Sequence, residues 1–98
     1  MVINRVIDGR TVTITPEGQL NATTSDELLE FVLNELQGDA DKLVLDFSRV
    51  PYISSKGLRA LLTIYKQLNG RTMEITGANA AVCDVLGTTG FAGAFGVR

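Results

Sequence analysis

The chain contains no histidine and a single cysteine. Without histidine, Ser-His and Cys-His catalytic pairs cannot be built within it. Histidine metal sites are excluded for the same reason, and Cys83 alone can neither complete a zinc site nor close an internal disulfide. No GxxxxGK[ST] phosphate loop is present. An autonomous enzyme is therefore not expected, although chemistry by carboxylates alone stays open, and no cofactor or metal is expected. There is no basic run, and the formal net charge is −2. Nucleic acid is thus not an expected partner. No apolar run reaches the roughly 18 residues of a membrane span, so membrane insertion is not expected either. The first ten residues, "MVINRVIDGR", lack the apolar stretch of a signal peptide. With the unpaired cysteine this implies a cytoplasmic location.

What is present suits one small domain over residues 1–98, with 45% hydrophobic and 20% charged residues. Residues 2–7 and 11–15 are rich in Val, Ile and Thr, and Asp8-Gly9 between them signals a hairpin turn. Pro16 to Gly18 interrupts. Thr24 with Glu27 three residues on reads as a capping box, and Leu28, Phe31, Val32 and Leu36 follow at helical spacing up to Gly38. Lys42 to Phe47 is a short apolar run of the kind found in a strand covered on both faces. Leu58, Leu61, Leu62, Tyr65 and Leu68 mark one face of a second helix, which Asn69-Gly70 ends. Arg71 to Thr76 alternates as a strand does. Asn79 can cap a third helix in which Val82, Val85 and Leu86 share a face, with Gly87 as its stop. Phe95 to Val97 would add a short edge strand.

This order predicts an α/β fold: a small, single-layer mixed sheet, mostly parallel, with helices packed on it and an antiparallel N-terminal hairpin. In such sheets functional groups gather where strands end and helices begin. Three stretches qualify: Gly18 to Thr24, Asp46 to Gly57, and Thr76 to Asn79. The middle one holds "YISSKGLRALL", residues 52–62, with two serines at the start of a helix. The first amides of a helix lack intrahelical partners and, with the dipole, favour an anion. A serine there caps the helix, at about 1 kcal/mol. A serine there also suits phosphorylation, because its own domain tolerates the added charge while a docked partner does not.

"LVLDFSRVPYISSKGLRALLTIYKQL", residues 43–68, resembles the signature of STAS domains, the family of anti-sigma-factor antagonists. "GQLNATTSDEL" (residues 18–28) and "VLGTTGFAGAF" (residues 85–95) resemble two further segments of that family, in the same order. The resemblance implies partner switching. An unphosphorylated domain binds a serine kinase of ATPase-type fold, often an anti-sigma factor. Phosphorylation of the domain then releases it, and a metal-dependent serine phosphatase reverses the change. Matched residue by residue, Ser55 takes the phospho-acceptor position and Ser54 a position often held by Asp. Asn21 and Asp46 match acidic positions of the two motifs. The expected partner-facing set is Asn21, Asp46, Ser54, Ser55, Lys56 and Gly57. The alternative is a STAS subunit of a transport or lipid-handling complex without a phospho-switch. A small-molecule or nucleotide-binding domain is a third class, and it would need a deep apolar pocket.

The chain departs from the pattern in places. Lys56 stands where the family usually has a small residue, and a cation in the first helical turn opposes the dipole by a few tenths of a kcal/mol. It reads either as a solvated lysine or as a contact to a partner's acidic patch or to the phosphate. Asn21 replaces a carboxylate with an amide. The chain ends soon after the third helix, where many members continue with another short helix. Gly57 in the first helical turn costs up to about 1 kcal/mol against Ala, which implies close approach of a neighbouring segment or a partner. Asp46 serves either as a local cap or as a site residue. Leu58 and Tyr65 are expected in the core, and Cys83 as a small apolar filler.

Overall fold

In the computed structural model, which describes residues 1–88, alternation in the strands decides which side of the sheet is covered. The elements run β1 (Val2–Asp8), β2 (Thr11–Glu17), α1 (Ala22–Glu35), β3 (Lys42–Asp46), α2 (Ser55–Lys66), β4 (Thr72–Thr76) and α3 (Ala80–Thr88). The sheet order is β1-β2-β3-β4. β1 and β2 are antiparallel, and β2, β3 and β4 are parallel, so α1 and α2 are the crossovers between parallel neighbours. This is the mixed α/β sheet expected from the sequence. The hairpin turn is Gly9-Arg10, with Gly9 at φ +60°, a conformation that favours glycine.

Register places Val12, Leu43 and Met73 in one row and Ile14, Leu45 and Ile75 in the next. All six are buried, with Leu28 and Val32 of α1, Leu58, Leu61 and Ile64 of α2, and Val82 and Leu86 of α3 in the same core. The opposite face carries Thr11, Thr13, Thr15, Lys42, Val44 and Glu74, none of them buried. Lys42 Nζ pairs there with Glu74 at 2.7 Å. β3 is therefore not covered on both faces; its Lys42, Val44 and Asp46 are only half-buried. The short apolar run reads as two-sided because Val44 sits among leucines, but its row is polar in the neighbouring strands. Pro16 does not interrupt β2. It lies past Ile14, where pairing with β3 has ended, so only the β1 side of the strand is paired there.

Two helix boundaries and one core position differ from expectation. Helix α1 starts at Ala22, not after Thr24. Asn21 Oδ1 accepts from the Thr23 and Thr24 amides at 3.0 and 3.1 Å, and Thr24 Oγ1 accepts from the Asn21 amide at 2.9 Å. The capping box is thus Asn21 with Thr24, and Glu27 instead pairs with the Met1 amino group at 2.9 Å. On α2 the buried stripe uses Ile64, while Tyr65 is 42% exposed and not core. Ile64 sits three residues after Leu61 and four before Leu68, closer to the centre of the stripe. Helix α3 runs through Gly87 to Thr88. Asn69 (φ +52°) and Gly70 (φ +87°) follow α2 in left-handed conformation, as the Asn-Gly pair implied. The expected strand at Phe95 to Val97 lies outside the described residues.

Away from the site, Arg10 pairs with Asp41 and so ties the hairpin turn to the start of β3. Its hydrogen bond holds the Asp41 carboxyl below the usual range. Ser25 on α1 is fully buried, and its Oγ is the one buried side-chain oxygen among the described residues without a hydrogen-bond partner. Leaving such a hydroxyl unsatisfied costs about 1–3 kcal/mol. Ser25→Ala is expected to raise stability by about 1 kcal/mol, seen as a higher urea midpoint at unchanged m-value. A lower midpoint would show that the hydroxyl is satisfied in solution.

Candidate functional site

Because β2, β3 and β4 are parallel, their carboxyl ends lie along one edge, and the three loops leaving them meet there. Backbone bonds lock the first loop to the second. The Gly18 amide donates to the Arg49 carbonyl (3.0 Å), Leu20 to Tyr52 (3.0 Å) and Ser54 to Leu20 (2.9 Å), and Leu20 and Ile53 form a parallel bridge. The third loop joins through the Phe47 amide, which donates to the Thr76 carbonyl at 2.8 Å. Asn79 adds a donor bond to the Pro51 carbonyl at 3.2 Å. The three stretches singled out in the sequence thus form one continuous cluster.

Within it the two serines have different environments. Ser54 is the N-cap of α2. Its backbone is extended (φ −90°, ψ 174°), and its Oγ accepts from the Gly57 amide at 3.3 Å. Ser55 is the first residue of α2 and exposed, and its hydroxyl makes no hydrogen bond among the described residues. Beside it, Tyr52 presents a half-exposed ring on a loop whose backbone is pinned by the Leu20 bond.

The other expected residues are brought to the same edge with varied roles. Asn21 spends its Oδ1 on capping α1, which needs only an acceptor; the amide therefore loses nothing structurally against a carboxylate. Asp46 Oδ1 accepts from the Ser48 amide at 3.0 Å, a local cap at the exit of β3. Gly77 (φ +69°) packs against the same turn, where a Cβ would come within 3.0 Å of Ser48 Cβ and 3.1 Å of Asp46 Oδ1. Gly57 is buried against this chain's own residues. A Cβ there would lie 2.6 Å from Ile53 Cγ1 and 3.2 Å from Leu20 Cβ. Cys83 is half-buried with its Sγ toward the Ala78 carbonyl at 3.5 Å.

Lys56 has a partner within the chain, because its Nζ lies 3.4 Å from Asp26 Oδ2 on α1. Both side chains are at least half exposed, so the pair contributes little. Lys56→Ala is expected to change stability by less than about 0.5 kcal/mol in chemical denaturation. A larger loss would show that the pair fastens α2 to α1.

The family model of the STAS domain matches residues 2–98, and the chain belongs to that family. No curated protein matches it. Among solved structures it is similar to an anti-sigma factor antagonist from Mycobacterium paratuberculosis, at 18% identity and TM-score 0.91, with 99% of this chain and 84% of that one covered. The anti-sigma factor antagonist SpoIIAA in its unphosphorylated form is similar at 20% identity and TM-score 0.82, covering 99% and 86%. The Bacillus cell-fate determinant SpoIIAA in the phosphorylated form gives 20% and 0.74, covering 99% and 89%. A sulfate transporter family protein from Wolinella succinogenes matches at 23% identity and TM-score 0.80, covering 94% and 79%. These likenesses establish the fold. No helix among the described residues is long and apolar enough to cross a membrane.

Proposed function

We propose that this chain acts as one domain, an anti-sigma-factor antagonist in a cytoplasmic partner-switching pathway. Unphosphorylated, it binds a serine kinase of ATPase-type fold that also serves as an anti-sigma factor. Phosphorylation of Ser55 releases it, and a metal-dependent serine phosphatase restores it. The observation that carries this reading is the division of labour between the serines. Ser54 caps α2, and the exposed Ser55 hydroxyl makes no hydrogen bond among the described residues, which give it no structural task. Its position suits the chemistry. The hydroxyl oxygen attacks the γ-phosphorus of ATP, the bond to the β,γ-bridging oxygen breaks, and the proton passes to a base of the kinase. The product phosphate then sits at the N-terminus of α2, where the helix favours an anion.

Asn21, Asp46, Ser54, Lys56 and Gly57 shape and surround the face offered to the kinase. Tyr52 is suited to anchor it, being a half-exposed aromatic on a rigid loop. SpoIIAA, which shares the fold, has been solved in both phosphorylation states. The likeness to a sulfate transporter family protein supports a second reading, a STAS subunit of a transport complex with no phospho-switch. Capture of native partners on the wild-type chain, followed by phosphosite mapping, separates the two. Recovery of an ATPase-fold kinase with phosphate on Ser55 is expected. Recovery of that kinase with Ser55 never modified would refute the switch.

A further inference from the structure

The β4–α3 loop is one of the three stretches the sequence singles out, with Asn79 as a helix cap, and in the structure Asn79 uses both ends of its amide. Its Oδ1 accepts from the Val82 amide at 2.8 Å and so caps α3. Its Nδ2 donates across 28 residues of sequence to the Pro51 carbonyl at 3.2 Å, with the Val50 carbonyl at 3.5 Å. Those carbonyls belong to the loop that runs from β3 into Ser54 and Ser55. They are also close to the residues that bond the first loop, Arg49 and Tyr52. Pro51 is exposed, and as a proline it has no N–H with which to anchor itself. Its carbonyl is held from outside, by a side chain rooted at the start of another helix.

We propose that Asn79 is a positioning residue for Ser55: one side chain caps α3 and clamps the loop that presents the acceptor hydroxyl. The clamp fixes where α2 begins, and with it the place of the Ser55 oxygen in the docked kinase. This rests on the reading of Ser55 as phospho-acceptor. Phosphoryl transfer depends almost wholly on positioning, and a displacement near 1 Å is enough to cost up to about 100-fold in rate.

The two ends of the amide can be separated chemically. Asn79→Asp keeps an oxygen for the Val82 amide and is an equally good cap, but it replaces the donor with an acceptor facing two carbonyls. Asn79→Ala removes both functions. The measurement is amide hydrogen exchange by NMR on the whole chain, read at two places. The Val82 and Cys83 amides report the α3 cap; the Leu20 and Ser54 amides report the loop cluster. In Asn79→Asp, exchange at Val82 and Cys83 is expected to match wild type, while Leu20 and Ser54 exchange about tenfold faster. In Asn79→Ala both sets are expected to speed up. With the kinase captured on the wild-type chain, Asn79→Asp is expected to lower kcat for Ser55 phosphorylation about tenfold, with KM within about twofold. Wild-type exchange at Leu20 and Ser54 in Asn79→Asp overturns the clamp. Accelerated exchange there with kcat unchanged overturns the positioning role. Absence of phosphate on Ser55 in the wild-type reaction itself overturns the functional reading, and the positioning role with it. That failure differs from a failure of Asn79, which is seen only in the variant.

Discussion

Ser55→Asp is expected to weaken binding to the kinase about 100-fold while making the free domain slightly more stable. The two effects have opposite signs, and that opposition is the test. On the stability side, Ser55 is exposed, makes no hydrogen bond among the described residues and is the first residue of α2. A carboxylate in the first turn of a helix interacts favourably with the dipole, at about 0.3–1 kcal/mol. On the binding side, the hydroxyl of a phospho-acceptor must approach the γ-phosphate of the kinase's nucleotide. An anion at that place meets like charge, and it loses water under the docked partner. Such a mispaired charge costs about 3 kcal/mol, which converts to roughly 100-fold in affinity. Ser55→Ala removes the acceptor without adding charge and is expected to bind within about threefold of wild type, forming a complex that is not released by ATP. The checks are a binding titration with the captured kinase and a urea titration of each free variant. Equal affinity for the Asp and wild-type chains would mean that charge at Ser55 does not govern release. A destabilised Asp variant would mean that Ser55 has a structural role after all.

The convergence of the three loops was legible in the sequence because it follows from topology. Once β2, β3 and β4 are parallel, their exits share an edge, whatever the side chains are. The separation of Ser54 from Ser55 was not legible on local grounds. Both are good N-cap residues one position apart, and only the extended backbone of Ser54 and its bond to the Gly57 amide decide between them. The start of α1 failed for a related reason. Asn21-x-x-Thr24 and Thr24-x-x-Glu27 overlap, and each satisfies a capping pattern; Asn is the stronger cap, and Glu27 is drawn to the Met1 amino group. Tyr65 and Ile64 both fall within helical spacing of Leu61, and the larger residue was placed inside although the smaller one fills the centre of the stripe. The second function of Asn79 had no local signal at all. Its carbonyl partners are 28 and 29 residues away, and one of them belongs to a proline that sequence rules treat as a turn marker. Lys56 had a partner on another helix, Asp26, which no spacing rule along the chain could reveal.

Gly57→Ala is expected to destabilise the domain by about 2 kcal/mol, against the direction that helix propensity alone would give. In an unhindered helical turn, Ala is better than Gly by up to about 1 kcal/mol. Here the added methyl would stand 2.6 Å from Ile53 Cγ1, 3.2 Å from Ile53 Cδ1 and 3.2 Å from Leu20 Cβ. Cγ1 and Cβ are near the backbone, so rotating a flexible tip cannot clear them. Neither residue can step aside easily, since each is 1% exposed and the two form the bridge between the first and second loops. Flanking bonds from the Leu20 amide to Tyr52 and from the Ser54 amide to Leu20 hold that bridge on both sides. Overpacking of this kind costs about 1–3 kcal/mol, and the upper end applies where the neighbours are pinned. The net loss should lower the melting temperature by roughly 10 °C for a chain of this size. Because the Gly57 amide is also the donor to Ser54 Oγ, the strain falls on the cap that sets the start of α2. The cause can be isolated with Ile53→Ala, which removes the nearest carbon. In that background the further cost of Gly57→Ala should shrink to about zero or turn favourable, a coupling of roughly 2 kcal/mol or more. Additive losses in the double variant would place the strain elsewhere. A stabilised Gly57→Ala single variant would show that the bridge yields and that propensity wins.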